Sequence, residues 1–578
     1  MNMKTTACPL DCYDACRIVI DENGTLKGDK THPITRGYLC PNLNHYGEYP
    51  RILSPRLEGR EVSMEEALRI LCERLEGSKP HEVLYYRGSG NVALMQRSVE
   101  HFFAHYNAVG TSGSLCDGAG AAGIEAGRGR NYVLSPQMIA QAEAVVIWGR
   151  NPHATHSHLL PFLKGKTLVV IDPLETELAK QADLHIQIKP RGDLYLALLL
   201  SRFAIIEGSH DREWLEENAG DVEEFYELTQ SIRIKATLDA IDVSLGQIGD
   251  VLSMIQGKKT AILVGAGVQK YRNGAEVLRA IDAFGAVMGL FGKEGCGVSF
   301  LGDSSLGVDS PFRSIAKKVS KPTVDFSKYN CVFVQGANPL SQMPDSNRVR
   351  QSFSQAGFRV YFGLYENETS RASDLVIPAK NFLEKNDFRS SYGDYTLQEM
   401  RTMLPGEIGI GEYELAARLC GAFNFPLLAE EEYLEHFRHQ AIEREGVTYR
   451  SRIPEIPYAD GFEEGEFVFP DEVDARLEER EGFHLLTPKH PKGLNSQFHR
   501  ESAAFFHPDA GFEAGRRVRL SSPAGSVEME VAWDGRLRKD CVLIYSGTPD
   551  VNVLTPAWLS YEGECAVYQE HTIKVETL

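Results

Sequence analysis

No apolar run in this chain approaches about 18 residues, so a membrane-spanning helix is not expected. Positive charge is also scarce: 61 lysines and arginines face 80 aspartates and glutamates, a net charge of −19. Nucleic-acid binding needs basic surface to displace phosphate counterions, which excludes that class of partner. The opening MNMKTTACPLDC has neither an apolar signal core nor paired arginines, and a cytoplasmic location is the expectation. Absent too are the paired C-x2-C knuckles of structural zinc and the cysteine density of a secreted disulfide scaffold. The eleven cysteines fall instead as four in the first forty residues and seven scattered from Cys72 to Cys565.

At 578 residues one core does not suffice, and about three or four domains are expected. MEEALRILCERLEG (64–77) has apolar residues at helical spacing and closes on Gly77. VLYYRGSGN reads as a strand running into a turn, with a helix in ALMQRSVEHFFAHY. Buried strands ending in glycine or acidic loops follow at EAVVIWGRNP, KTLVVIDPLET, KTAILVGAGVQ and NCVFVQGANP. Alternation with helices such as AEVLRAIDAFGAVMGL predicts parallel, doubly wound sheets. Two of these units echo each other, VVIWGRNP and VFVQGANP, each a strand followed by Gly-x-Asn-Pro. That repeat suggests a duplicated nucleotide-binding arrangement. The acidic stretch at 459–480 reads as a linker or a solvated connection. VRLSSPAGSVEMEVAWDG and CVLIYSG alternate like antiparallel strands and predict a β-rich end.

Cys8, Cys12, Cys16 and Cys40 form the pattern C-x3-C-x3-C-x23-C. Thiolates are soft ligands for iron–sulfur clusters or zinc, and three close cysteines closed by a distant fourth favour a 4Fe–4S cluster over zinc or unligated structural cysteines. Cys72, Cys296, Cys331, Cys420, Cys541 and Cys565 have no paired spacing and read as packing residues. His153, His156 and His158 have no cysteine or acidic partner at metal-ligand spacing and read as polar contacts beside the glycine loop they follow, or as plain surface.

With these residues in view, the chain resembles the molybdopterin oxidoreductases of the dimethyl sulfoxide reductase superfamily, which includes formate dehydrogenases, nitrate reductases and polysulfide or thiosulfate reductases. CPLDCYDAC…GYLCP and RILSPRLEG resemble the family's opening, and IWGRNPHATHS with VVIDPLETELAKQADLHIQIKPRGD its first pterin-nucleotide segment. VQGANPLSQMPD and YENETSRASDLVIPAKNFLEKNDF resemble the second. TPKHPKGLNSQ and TPDVNVLTP resemble the final cofactor-binding barrel. The resemblance implies an α/β multidomain fold with a small N-terminal 4Fe–4S domain (1–50) and two doubly wound α/β domains. One is discontinuous (51–136 plus 325–470), the other spans 137–324, and a C-terminal double-psi β-barrel covers 475–578.

It also implies two molybdopterin guanine dinucleotides holding one molybdenum or tungsten. A dinucleotide needs glycine loops that let backbone approach the pyrophosphate, and carboxylates for ribose or base edges. Gly149, Asn151, Gly336 and Asn338 fit the loops, and Asp172 and Asp193 fit polar recognition; a plain strand-ending turn is the alternative for each loop. Thr487, Asn495, Ser496, Gln497 and Asn552 match polar positions that contact the cofactor in relatives. Cys116, in GTSGSLCDGAGAAG, is the expected metal ligand, and Asp117 a minority ligand or an acid/base group.

Two residues depart from the family pattern. Asp117 stands where formate-oxidising relatives place histidine, and Asn42 where many relatives carry lysine between cluster and pterin. The expected activity is a two-electron oxidation or reduction, or oxygen-atom transfer, on a small substrate. Electrons would pass through the cluster to a separate partner subunit or soluble carrier, since no flavin or nicotinamide site is evident. A non-catalytic electron-transfer scaffold and a tungsten–pterin hydratase are the alternatives.

Overall fold

The computed structural model describes residues 5–473, 477, 478 and 480–578. They form two compact units: Met1–Ser112 with Ser304–Ile453 and Pro491–Arg500, and Gly113–Asp303 with Pro454–His490 and Glu501–Leu578.

The first unit opens with a three-stranded antiparallel sheet, Thr5–Ala7, Arg17–Ile20 and Leu26–Gly28. Its main sheet has six strands. Leu375–Pro378, Phe358–Gly363, Cys331–Gln335 and Val83–Arg87 run parallel, and Arg56–Leu57 with Arg60–Glu61 forms an antiparallel edge. CVFVQ is buried throughout, as expected for a parallel strand covered on both faces. The helix Met64–Glu76 begins where Ser63 Oγ accepts from the Glu66 N–H at 3.1 Å, and it ends at Gly77 as expected. It buries Ala67, Leu68, Leu71 and Leu75, one face at helical spacing, in a core shared with Phe102, Phe333 and Leu415.

The second unit contains a five-stranded parallel sheet in the order Leu184–Ile186, Thr167–Ile171, Ala144–Trp148, Thr260–Val264, Gly297–Ser299. It also contains a closed six-stranded barrel: Phe483–Leu486, Cys541–Leu543, Ala503–Phe506, Gly525–Trp533, Arg517–Ser522 and Thr572–Thr577. The antiparallel expectation holds for Arg517–Ser522 against Gly525–Trp533. Cys541–Leu543 differs: it pairs parallel with one neighbour and antiparallel with the other, because alternation reports a half-buried strand and not its direction.

The acidic stretch at 459–480 is not a plain linker. Residues 474–476 and 479 lie outside the described residues. Before them Phe462, Phe467 and Phe469 are buried among Trp214, Phe225 and Phe291. The density of acids concealed three phenylalanines that anchor the segment.

The Gly-x-Asn-Pro echo corresponds to one hydrogen-bond plan used twice. Gly149 donates to the Ile171 carbonyl at 2.8 Å and Gly336 to the Phe362 carbonyl at 2.9 Å, with φ of 58° and 52°. Gly265 donates to Trp148 and Gly88 to Gln335 in the same way. In each sheet an aspartate caps the next strand: Asp183 accepts from the Leu168 N–H and Asp374 from the Arg359 N–H, both at 2.8 Å. Among the described residues no helix is long and apolar enough to cross a membrane.

Candidate functional site

In the first unit the four N-terminal cysteines converge on one desolvated spot. Cys8 and Cys16 are buried, and Cys12 and Cys40 partly so. Burial pushes the Cys8 thiol up to about 12, and neighbouring Cys40 adds to it. Burial, with Asp14 and the other thiols, drives Cys12 and Cys16 well above the ordinary range and raises Cys40. Backbone N–H groups oppose this: those of Leu10, Asp14, Asn42 and Leu43 address Cys8, Cys12 and Cys40 and favour their charged forms. Among the described residues no three of these sulfurs lie within 4.8 Å of one another.

The loop's carbonyls turn the other way, toward the 387–400 hairpin. Arg389 donates to the Cys8 and Cys12 carbonyls at 3.2 and 3.1 Å, Ser391 Oγ to Tyr13 at 2.9 Å, and Gln398 Nε2 to Ala15 at 2.6 Å. Asn42 Oδ1 is buried without a hydrogen-bond partner among the described residues.

Also in the first unit, Asn338 is held on every side. Its Nδ2 donates to Glu368 at 2.7 Å and to Ser496 Oγ at 3.0 Å, and its Oδ1 accepts from Thr369 Oγ1 at 2.9 Å. Arg500 closes the group, donating to Glu368 at 2.6 Å and to Ser341 Oγ at 2.9 Å. Burial pushes Glu368 up, but the Asn338 and Arg500 hydrogen bonds outweigh it and leave the carboxyl below its ordinary value. Asn495, at φ 53°, reaches Asp11 at 3.0 Å, and the Gln497 amide lies beside Gly90. The structure thus groups Gly336, Asn338 and Ser496. Glu368, Ser341 and Arg500 were missed: the first two lie inside YENETSRASD and VQGANPLSQMPD without any signal of their own, and Arg500 lies in no motif.

In the second unit, Gly149 meets Gly265 so closely that a Cβ on Gly265 would lie 1.9 Å from the Gly149 oxygen. Beside them Asn151 Oδ1 is buried with no partner among the described residues. Asp193 accepts from Trp148 Nε1 at 2.7 Å, yet burial raises its carboxyl to about 6. Asp172 accepts from the Leu174 N–H at 2.8 Å, and burial, with Asp193 nearby, lifts it to about 7. His156 is bonded to Arg150 at 2.6 Å. Thr487 follows the first barrel strand, and Asn552 is buried against Thr555 Oγ1 at 3.1 Å.

Cys116 stands exposed at the tip of a loop in this unit, just before the helix Gly118–Arg128. Ser114 Oγ builds the turn: it accepts from the Cys116 and Asp117 N–H groups at 2.9 and 3.0 Å and donates to Asp117 Oδ1 at 2.7 Å. Gln269, fully buried, donates to the Cys116 carbonyl and accepts from the Gly120 N–H at 2.6 Å. Lys270 donates to the Leu115 and Cys116 carbonyls at 3.0 and 2.5 Å. The loop is also sewn to 559–566: Ser114 donates to Glu564 and Ala566 to Ser114 at 3.1 and 2.9 Å. Gly118 and Gly563 allow this, since a Cβ on either would fall 2.4 and 2.0 Å from the other's oxygen. The backbone is clamped from two sides while the thiol is left accessible. Gln269 and Lys270 carried no motif signal.

A family model described as molybdopterin oxidoreductase matches residues 31–407. A probable oxidoreductase of Bacillus subtilis (strain 168) is 27% identical over 88% of this chain and 83% of its own length. The alpha subunit of an F420-dependent formate dehydrogenase of Methanocaldococcus jannaschii is 23% identical over 78% of this chain and 75% of its own. Among solved structures, acetylene hydratase from Pelobacter acetylenicus superposes with a TM-score of 0.79 at 14% identity, covering 99% of both chains.

Proposed function

Since this chain belongs to the molybdopterin oxidoreductase family, we propose that it is a catalytic chain for a two-electron redox reaction or oxygen-atom transfer on a small substrate. Two molybdopterin guanine dinucleotides with molybdenum or tungsten supply the electron chemistry when bound. The observation that carries the reading is the Cys116 loop, whose backbone is fixed by Gln269, Lys270 and the 559–566 segment while its thiol is exposed. Cys116 is the metal's protein ligand, and Asp117, oriented by Ser114, is the acid/base group beside it.

The Gly149 and Gly336 loops each receive one nucleotide. In the first, the partnerless Asn151 Oδ1 and the raised Asp172 and Asp193 are acceptors suited to sugar hydroxyl or base N–H donors. In the second, Asn338, Glu368, Ser496 and Arg500 form the polar wall. Thr487, Asn495, Gln497 and Asn552 add contacts from the C-terminal segments.

Cys8, Cys12, Cys16 and Cys40 hold a 4Fe–4S cluster. Its support is the desolvated meeting of four thiols, with N–H groups directed at sulfur, and the C-x3-C-x3-C-x23-C spacing. Electrons leave through a separate subunit or soluble carrier in the cytoplasm; the formate dehydrogenase relative, itself an alpha subunit, supports a multi-subunit arrangement. Formate is disfavoured by Asp117 in the histidine position, so the substrate screen runs over nitrate, thiosulfate, polysulfide and sulfoxides as well as formate.

Anaerobically purified protein should contain about four irons, one molybdenum or tungsten and two pterin nucleotides. Cys116→Ser should lose the metal or its activity and keep the iron. Full activity in that variant refutes the ligand role, and iron without pterin favours an electron-transfer scaffold.

Asn42 favours a second reading, addition of water without net electron transfer. Its neutral amide replaces the family's lysine, and the solved neighbour is named a hydratase. Substrate turnover without any electron acceptor distinguishes the two.

A further inference from the structure

Arg389 is completely buried in the strand Asp387–Ser390. Its Nε donates to the Cys8 carbonyl at 3.2 Å and its Nη2 to the carbonyls of Cys12 at 3.1 Å and Leu10 at 3.5 Å; Nη1 donates to the Ser390 carbonyl. Its carbon centre lies 5.8 Å from the middle of the Tyr392 ring. Every polar partner of the guanidinium among the described residues is therefore a neutral carbonyl.

The nearby carboxylates are engaged elsewhere. Asp387 accepts from the Met95 and Phe388 N–H groups, Asp11 from Asn495 and Tyr392, and Asp394 from Thr396. A permanent cation buried against carbonyl dipoles alone is costly unless an anion shares its surroundings. The candidate anions are buried Asp14 and the four thiolates, all but one of which sit on the loop that Arg389 holds from behind.

We propose that Arg389 is the charge-compensating residue of the iron–sulfur centre, holding the Cys8–Cys12 carbonyls outward and raising the cluster's reduction potential. The inference rests on the reading of Cys8, Cys12, Cys16 and Cys40 as 4Fe–4S ligands. Reduction places one electron from a chemical reductant on the cluster, with no bond made or broken, and makes the centre more negative by one charge. A fixed cation stabilises that form more than the oxidised one, so the potential rises. Arg389 is a positioning and tuning residue and touches no substrate.

The test is a redox titration of purified protein followed by electron paramagnetic resonance, with iron analysis, on wild type, Arg389→Met and Arg389→Lys. Wild-type protein without iron overturns the cluster reading itself, a result separate from anything the variants show. With iron present, Arg389→Met should shift the reduction equilibrium at least tenfold toward the oxidised cluster, about 59 mV lower for one electron. Arg389→Lys keeps the charge and should stay near the wild-type potential, even where the methionine variant fails to hold iron. An iron-replete Arg389→Met at the wild-type potential overturns the proposal. So does an Arg389→Lys protein that cannot hold iron, because the carbonyl contacts and not the charge would then be what the site requires.

Discussion

Gly563→Ala tests the clamp on the Cys116 loop. Gly563 has φ of 77°, and a Cβ there would lie 2.0 Å from the Gly118 oxygen and 2.4 Å from its carbonyl carbon. Both are backbone atoms at the start of a helix, so the 560–566 segment must move away. Alanine in the left-handed region costs about 1–2 kcal/mol, and overpacking adds about 1–3 kcal/mol. Gly515 is the control: φ is 80° and nothing lies within 4 Å of its Cβ position, so Gly515→Ala bears the conformational cost alone. The difference of about 1–3 kcal/mol corresponds to roughly 5- to 150-fold more frequent opening of the loop. Hydrogen exchange read by mass spectrometry on peptides covering Ser114 and Ala566 measures it, because those two amides make the bonds that join the segments. Exchange at these peptides should accelerate in Gly563→Ala and stay near wild type in Gly515→Ala. Equal exchange in the two variants would refute the argument that close backbone approach holds the loop.

Arg128 and Asp282 form a fully buried ion pair at 2.8 Å between the helix that follows Cys116 and Gly274–Val287. Arg128→Met should destabilise the protein by about 3–5 kcal/mol in urea unfolding, and adding Asp282→Leu should recover most of the loss; a double variant as unstable as the single one contradicts this. Asp172, lifted to about 7 by burial, binds a proton more readily folded than unfolded, so its contribution to stability is present in acid and lost as pH rises through 7. Asp172→Asn should therefore raise the melting temperature of cofactor-free protein most at pH 8, less at pH 5, and leave it nearly unchanged below pH 4; the reverse order would exclude a raised carboxyl. Glu368 has the opposite sign, since its lowered value contributes stability at neutral pH that is lost as pH falls through the carboxylate range. Arg500→Ala should flatten that acid-side loss in a melting series from pH 7 to 3, and an unchanged slope would show that Arg500 does not hold Glu368.

What was readable from the sequence and what was not divide along a physical line. The glycines at 149 and 336 could be named because a positive φ and a close backbone approach are properties of the residue itself. The parallel strands were readable from continuous apolar runs, and the helix at 64–76 from spacing and its cap. The groups that finish each site carry no local period. Gln269 reaches Cys116 across 153 residues, Arg500 reaches Glu368 across 132, and Arg389 reaches Cys8 across 381. Even the echoed loops differ at this level. Asn338 is saturated by Glu368, Ser496 and Thr369, whereas Asn151 keeps a buried oxygen without a partner among the described residues. An unsatisfied buried acceptor is costly, so Asn151 is the loop residue with most to gain from a bound hydrogen-bond donor. The repeated Gly-x-Asn-Pro therefore marks two cradles of one backbone design, and the distant side chains closing on them make the two chemically unequal.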